Sequence, residues 1–517
     1  MYSLNNDFNF NWAILCILGL CSLGVVYAGS AVAAWYRLRK FPVPSFSAHF
    51  SYLWLAKTTY SGKQYWVHRE LNKKHGPLVR IGPNELMTDD PDILKRVSST
   101  RSSYPRDHWY VTGRFNPYHD NMFSVLDPKT HTKFKSRTIS AYSGRETPDL
   151  EIGVDSQIKT LINLLEQKYA VKAASSPTVM PLLNLGAASC FFTLDVITRL
   201  AFGQEFNYLK DETDHYNFLG SIHDLWPQMS TSADIPWIRK VLFSSFFLKL
   251  LGPKTTDKKG FGPLMGVAEH HVGKRFAPDA KNQQDMLGSM MKHGLTQKEC
   301  EVEGLFMVIA GTESTASAIR SVLVHTMTCP RVYQKLKAEI DDAVRMGRVS
   351  EPIGIEQAKS LPYLQAVIYE GIRMRPPLLG LLPKVVPAGG DEFHGQYVPA
   401  NTAICMNMSS LLCSQKLFGA DADLFRPERF MELSGDKRKT MERDVELVFG
   451  YGQWMCVGKT VAFLELNKAI FEIYRSFDLQ LVNPCKPSEV LSYGTFLESN
   501  LLVKVAKRYF DPSLTGV

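Results

Sequence analysis

The nine cysteines of this 517-residue chain include no C-x-x-C pair. They stand at 16, 21, 190, 300, 329, 405, 413, 456 and 485, an odd and scattered set. Such a set argues against a zinc or iron–sulfur site built on paired spacing and against a disulfide framework, and a reducing compartment fits it. A strong excess of one charge is also missing. The formal net charge of +8 is spread along the chain, so nothing points to nucleic acid. The mild excess suits a basic face toward an acidic partner or a membrane surface. Internal repeats and low-complexity tracts are absent, and no long flexible linker divides residues 45–517. At 45% hydrophobic and 21% charged, the composition is that of a globular protein.

Charged side chains are absent from residues 12–36. A helix there would be about 37 Å long at ~1.5 Å per residue, enough to cross a hydrocarbon layer of ~30 Å with some tilt. Trp12 and Tyr36 stand at its ends, where amphipathic rings favour the interface. Arg37, Arg39 and Lys40 follow, which puts the bulk of the protein in the cytosol. A cleaved signal peptide is the competing reading, but the run is long and its basic cluster follows rather than precedes it. The expected division is a lumenal tail at 1–11, a transmembrane anchor at 12–36, a basic and proline-containing connector at 37–44, and a cytosolic domain at 45–517. The sequon at Asn407 should then stay unmodified.

Residues 76–88 read as two short strands around a Gly-Pro turn. Helical segments dominate from 128 to 380, the clearest at 299–328, which ends at Cys329-Pro330. Residues 381–407 turn strand-like, 418–445 read as loop, and a further helix starts near Val457. The expected fold is mainly α with a small β-rich part.

The segment FGYGQWMCVG places Cys456 just before that last helix. Unpaired N–H groups and the positive helix end stabilise a thiolate there. Gly452 and Gly458 would let the backbone lie close to a flat cofactor, and Phe449 could pack against it. Taken alone, a buried cysteine in a glycine-rich turn would read the same way. The pattern F-x-x-G-x-x-x-C-x-G, however, resembles the haem-binding signature of the cytochrome P-450 family. Other motifs accompany it. Glu370 and Arg373 match that family's E-x-x-R pair, and FRPERF at 425–430 matches its P-E-R-F segment, with Arg429 as third member of a buried cluster. AGTEST at 310–315 resembles its oxygen-activation motif, which makes Glu313, Ser314 and Thr315 the expected proton-handling residues. The family usually has threonine where Ser314 stands.

The resemblance covers nearly the whole chain, and several stretches, Tyr104-Pro105-Arg106 among them, look like the fungal pisatin-demethylase type. It implies haem b with Cys456 as axial ligand to iron, O2, and electrons from NADPH through a flavoprotein reductase docking near Lys437, Arg438 and Lys439. It also implies the endoplasmic reticulum membrane and insertion of oxygen into an apolar small molecule, in secondary-metabolite biosynthesis or xenobiotic oxidation. Trp454 stands where most members carry an arginine for a haem propionate. His131, Lys135, Arg137 and Lys384 are the substitutes the resemblance suggests, beside the indole N–H of Trp454. By position, Tyr110, Phe115, Phe123, Phe206, Leu225, Phe306, Ile309, Leu379, Leu382 and Phe496 would face substrate. A haem-thiolate enzyme that rearranges or dehydrates without O2, and a non-enzymatic membrane haem protein, are the alternatives. Both leave the acid–hydroxyl pair without a purpose.

Overall fold

The computed structural model describes residues 4–171 and 181–508, with side chains from residue 14 onward except at Val171. Its first helix, Leu4–Leu38, begins inside the segment expected as a tail, because neither proline nor glycine interrupts the chain there. Residues 1–3 of that tail and the side chain of Trp12 lie outside the described part. The stretch Ile14–Leu38 is long and apolar enough to cross a membrane, and 0% of its apolar window is buried within the protein. Helix Leu185–Phe202 has similar composition but is 89% buried, which makes it a core helix. The connector is stiff for reasons of packing as well as proline. Leu38 and Phe41 are buried, Arg80 donates its backbone N–H to Pro42 at 2.8 Å, and Arg37 reaches Asn84 at 2.9 Å.

Helices carry most of the rest of the chain, around one large apolar core with smaller clusters beside it. Its axis is Gln297–Met327, a 31-residue helix. Thr296 and Glu299 cap it reciprocally, Thr328 closes it, and Pro330 opens the next helix, so the ends follow from sequence. Leu185–Phe202, Pro362–Met374 and Lys459–Ser476 pack against it. A four-stranded sheet holds the amino-terminal side. Val79–Arg80 pairs antiparallel with Glu85–Thr88, which runs parallel to Ala403–Met406, itself antiparallel to Lys384–Val385. A hairpin of Glu489–Ser492 and Phe496–Ser499 lies near the carboxyl end.

One expectation needs correction. Residues 418–445 are not loop throughout, since Gly435–Glu446 is a helix. Its sequence GDKRKTMERDVE shows almost no apolar stripe, so periodicity could not reveal it. The sequon asparagine is fully packed. Asn407 is 1% exposed and donates its side-chain N–H groups to His68 and Asn72, so burial alone keeps it from modification.

Candidate active site

One cavity of about 400 Å³ lies between the central helix and the segment before Lys459–Ser476. Phe449, Trp454, Cys456 and Gly458 form one wall, and Ala310, Gly311, Glu313, Ser314 and Thr315 belong to the opposing helix. The cysteine loop is held from within and from outside. The Cys456 N–H donates to the Phe449 carbonyl at 2.6 Å, and the Lys135 ammonium donates to the carbonyls of Gln453 and Met455 at 3.0 and 2.9 Å. Gly450 and Gly452 both take positive φ. A Cβ on Gly452 would stand 2.4 Å from the Ser98 carbonyl oxygen. Its requirement is therefore the approach to residues 98–99, and it does not line the cavity as expected. Gly458 does, and Phe449 packs its ring 5.4 Å from Phe463.

Cys456 presents exposed surface to the cavity, and desolvation by the protein around it is the largest influence on its thiol, pushing it up. The N–H groups of Gly458 and Lys459 and the charges of Lys135 and Lys459 pull it down, without winning. The helix start thus favours the thiolate, as expected, against the opposing effect of desolvation. A metal cation held by this sulfur would favour its deprotonated form further.

The residues around this wall fit a flat, doubly anionic cofactor. Trp454 Nε1 and His131 Nδ1 are buried side-chain atoms with no hydrogen-bond partner, and their rings lie 4.5 Å apart. Cations surround them. Lys384 is buried, donates to the Tyr110 hydroxyl and the Leu382 carbonyl, and is driven well below its usual pKa by burial and by Arg106. Arg106 stacks 4.2 Å over the Trp454 ring. It donates to the carbonyls of Met122, Phe123 and Val125 and keeps its Nε unpartnered. Nothing in its sequence context marks this, because the three acceptors are backbone. Burial lowers it to about 10, which leaves it charged at neutral pH. Two expected cations are placed elsewhere. Lys135 supports the cysteine loop, and Arg137 pairs with Glu299 at 3.2 Å and with the carbonyls of His293 and Gly294. We expect Arg106→Met to lower cofactor retention, since it removes a cation and strands three carbonyls, each hydrogen bond to a charged group contributing about 1.5–3 kcal/mol. Cofactor content per mole of purified protein checks this. Wild-type content would remove Arg106 from the site.

The structure brings Glu370, Arg373 and Arg429 together with the Glu370 and Arg373 side chains at 0% exposure and Arg429 at 2%. Arg373 holds both Glu370 oxygens at 2.8 Å, and Arg429 Nε lies 3.0 and 3.1 Å from the same pair. Arg373 also donates to the carbonyls of Leu412, Ala422 and Leu424. One residue earlier, Tyr369 reaches Glu446 at 2.8 Å, and Glu446 pairs with Lys459 at 2.7 Å. The cluster is thus linked to the start of the helix behind Cys456.

On the central helix, the Ser314 hydroxyl donates to the Ala310 carbonyl at 2.7 Å. Thr312 does the same to Val308 at 2.6 Å. Such back-bonding loosens a helix locally. The Thr315 side chain is buried at the cavity wall. Glu313 is turned to Arg320 and to the Cys190 thiol, which donates to it at 3.0 Å. Of the expected substrate-facing residues, Tyr110, Phe115, Phe123, Phe306, Ile309 and Leu382 line the cavity. Phe206, Leu225, Leu379 and Phe496 do not. Phe206 stacks on Phe202, and Leu379 and Phe496 pack with Tyr65 while their neighbours Leu378, Gly380 and Thr495 face inward. In extended chain a one-residue step reverses the facing side.

Comparison with known proteins agrees with this geometry. The family model described as cytochrome P-450 matches residues 42–503. Cytochrome P-450 monooxygenase aba1 of Botryotinia fuckeliana is 70% identical over 91% of this chain and 92% of its own length. Cytochrome P-450 monooxygenase abl1 of Leptosphaeria maculans is 59% identical over 94% of this chain and 85% of its own. Pisatin demethylase of Fusarium vanettenii is 29% identical over 86% and 85%. The chain belongs to the cytochrome P-450 family and is a monooxygenase whose curated relatives are fungal.

Proposed function

We propose that this monooxygenase oxidises an apolar small molecule in secondary-metabolite biosynthesis or xenobiotic oxidation. The observation that carries the reading is the sulfur of Cys456 at one wall of an aromatic cavity whose opposite wall holds Glu313, Ser314 and Thr315. Phe306 stacks on both Phe115 and Phe123, with centroids 6.2 and 5.8 Å apart, and the three form a face on which an apolar ligand buries its surface. Cys456 would hold the iron of haem b, and Trp454, His131, Arg106 and Lys384 would hold its propionates. When bound, a sulfur-ligated haem supplies cleavage of O2 and transfer of one oxygen. Glu313, Ser314 and Thr315 hold and pass protons at the cavity wall. Electrons come from NADPH through a flavoprotein reductase. It docks on the face where Tyr451 and Met455 are exposed and where Lys437, Arg438 and Lys439 stand on the Gly435–Glu446 helix. The Ile14–Leu38 segment anchors the protein in the endoplasmic reticulum membrane with the catalytic domain in the cytosol.

Co-expression with a reductase and feeding with apolar aromatic and terpenoid compounds tests this. NADPH consumption that depends on both O2 and a compound, with an oxygenated product, is expected. Turnover of a compound without O2 would favour rearrangement or dehydration instead. Ser314→Ala should raise peroxide release per NADPH consumed, because a cavity-side hydroxyl is lost while the helix keeps its backbone bonds. Unchanged coupling in that variant would remove Ser314 from proton handling.

A further inference from the structure

Behind the cavity wall lies a closed charge network that the motif did not foreshadow. Arg320 is one of the largest fully buried side chains and stands two turns after Glu313 on the same helix. Its guanidinium pairs with Glu313 on one side and, through Nε, with Glu498 at 3.1 Å on the other. Its Nη1 lies 3.2 Å from Ser189 Oγ and 3.1 Å from Cys190 Sγ. Glu498 completes the set with Arg375 at 3.1 Å and the Ser488 hydroxyl. Two carboxylates and two guanidinium groups balance, so the cluster is neutral as a unit. Glu498 belongs to strand Phe496–Ser499, and the turn before that strand, Tyr493, Gly494 and Thr495, lines the substrate cavity. The hairpin therefore touches the cavity at its tip and Arg320 at its base.

We propose that Arg320 and Glu498 are positioning residues that set how tightly the Glu313 carboxylate, at the cavity wall, is held to Arg320, and that the hairpin passes substrate contact at 493–495 to that hold. The inference rests on the reading of Glu313 as a proton-handling group. Arg320 is shared between two carboxylates. A shared guanidinium grips each one less firmly than an unshared one. While Glu498 takes its part, Glu313 remains free enough to turn further into the cavity. Movement of the hairpin changes that share. A ligand pressing on Thr495 acts on a strand whose backbone is paired from Glu489↔Ser499 to Ser492↔Phe496, so displacement at the tip reaches Glu498 through a stiff element.

The test uses full-length haem-loaded protein with reductase. Glu498→Gln leaves Arg320 wholly to Glu313. The fraction of NADPH oxidised that ends as hydrogen peroxide should rise by between about twofold and thirtyfold, the span of measured long-range couplings. The double variant Glu498→Gln with Arg375→Gln keeps the network neutral and guards against misfolding. It should show the same rise. A second readout needs no turnover. The Cys190 S–H infrared band, assigned by its disappearance in Cys190→Ser, reports the bond to Glu313. It should move to higher frequency in Glu498→Gln as Arg320 draws charge from that carboxylate. Glu313→Gln separates the two claims. If Glu313→Gln leaves peroxide release unchanged, the proton-handling reading itself fails. If Glu313→Gln raises it while both Glu498 variants match wild type in peroxide and in the S–H band, Arg320 and Glu498 hold no control over Glu313 and the inference is overturned.

Discussion

Glu370→Gln should destabilise the protein by about 3–5 kcal/mol and release the cofactor from much of what folds. The carboxylate accepts two bonds from Arg373, a pair of contacts from Arg429 and the backbone N–H of Arg426 at 2.8 Å. An amide keeps one acceptor and turns a donor toward two buried guanidinium groups. Arg373 then carries an uncompensated buried charge, while Arg429 keeps only Asp421, at 3.0 Å. The same change at Glu356, whose partner Lys359 is 54% exposed while Glu356 itself is 81% exposed, should cost no more than about 1 kcal/mol. Denaturant unfolding of the two variants, followed by haem absorbance and circular dichroism, measures the contrast. A Glu370→Gln protein as stable as Glu356→Gln would mean that the cluster does not hold the cysteine loop.

Cys456→Ser should abolish oxygenation while the chain keeps its fold. The loop closes through the backbone bond from Cys456 N–H to Phe449, through Lys135 and through the positive-φ glycines, none of which needs sulfur. Only the ligand atom changes. Thiolate is the donor that favours O–O cleavage, and a serine oxygen is a poorer electron donor that stays protonated at neutral pH. Product formation should fall below detection with an unchanged circular dichroism spectrum. Residual product at more than a few per cent of wild type would place the chemistry elsewhere.

The parts of the site legible in sequence were those whose partners are close in the chain or fixed by helical spacing. Glu370 and Arg373 share one helix face, so their pairing could be read directly. Thr296, Glu299 and Pro330 mark the ends of the central helix within a residue or two of the expectation. Other features depended on tertiary placement. Arg106 acts on carbonyls sixteen or more residues away and on the Trp454 ring, neither of which a local pattern encodes. Arg137 has the right residue type and turn, yet Glu299 and two carbonyls capture it. Phe496 and Leu379 failed by a single step along extended chain, where their neighbours face the cavity instead. The helix Gly435–Glu446 escaped because its face is almost entirely charged, so pairs such as Arg438 with Glu442 support it instead of an apolar stripe.

The most direct test of the whole account is the absorption spectrum of the purified, reduced protein under carbon monoxide. A Soret band at the long wavelength characteristic of sulfur-ligated haem, absent from Cys456→Ser, is the predicted result. A band at the shorter wavelength of nitrogen-ligated haem, identical in wild type and variant, would contradict it.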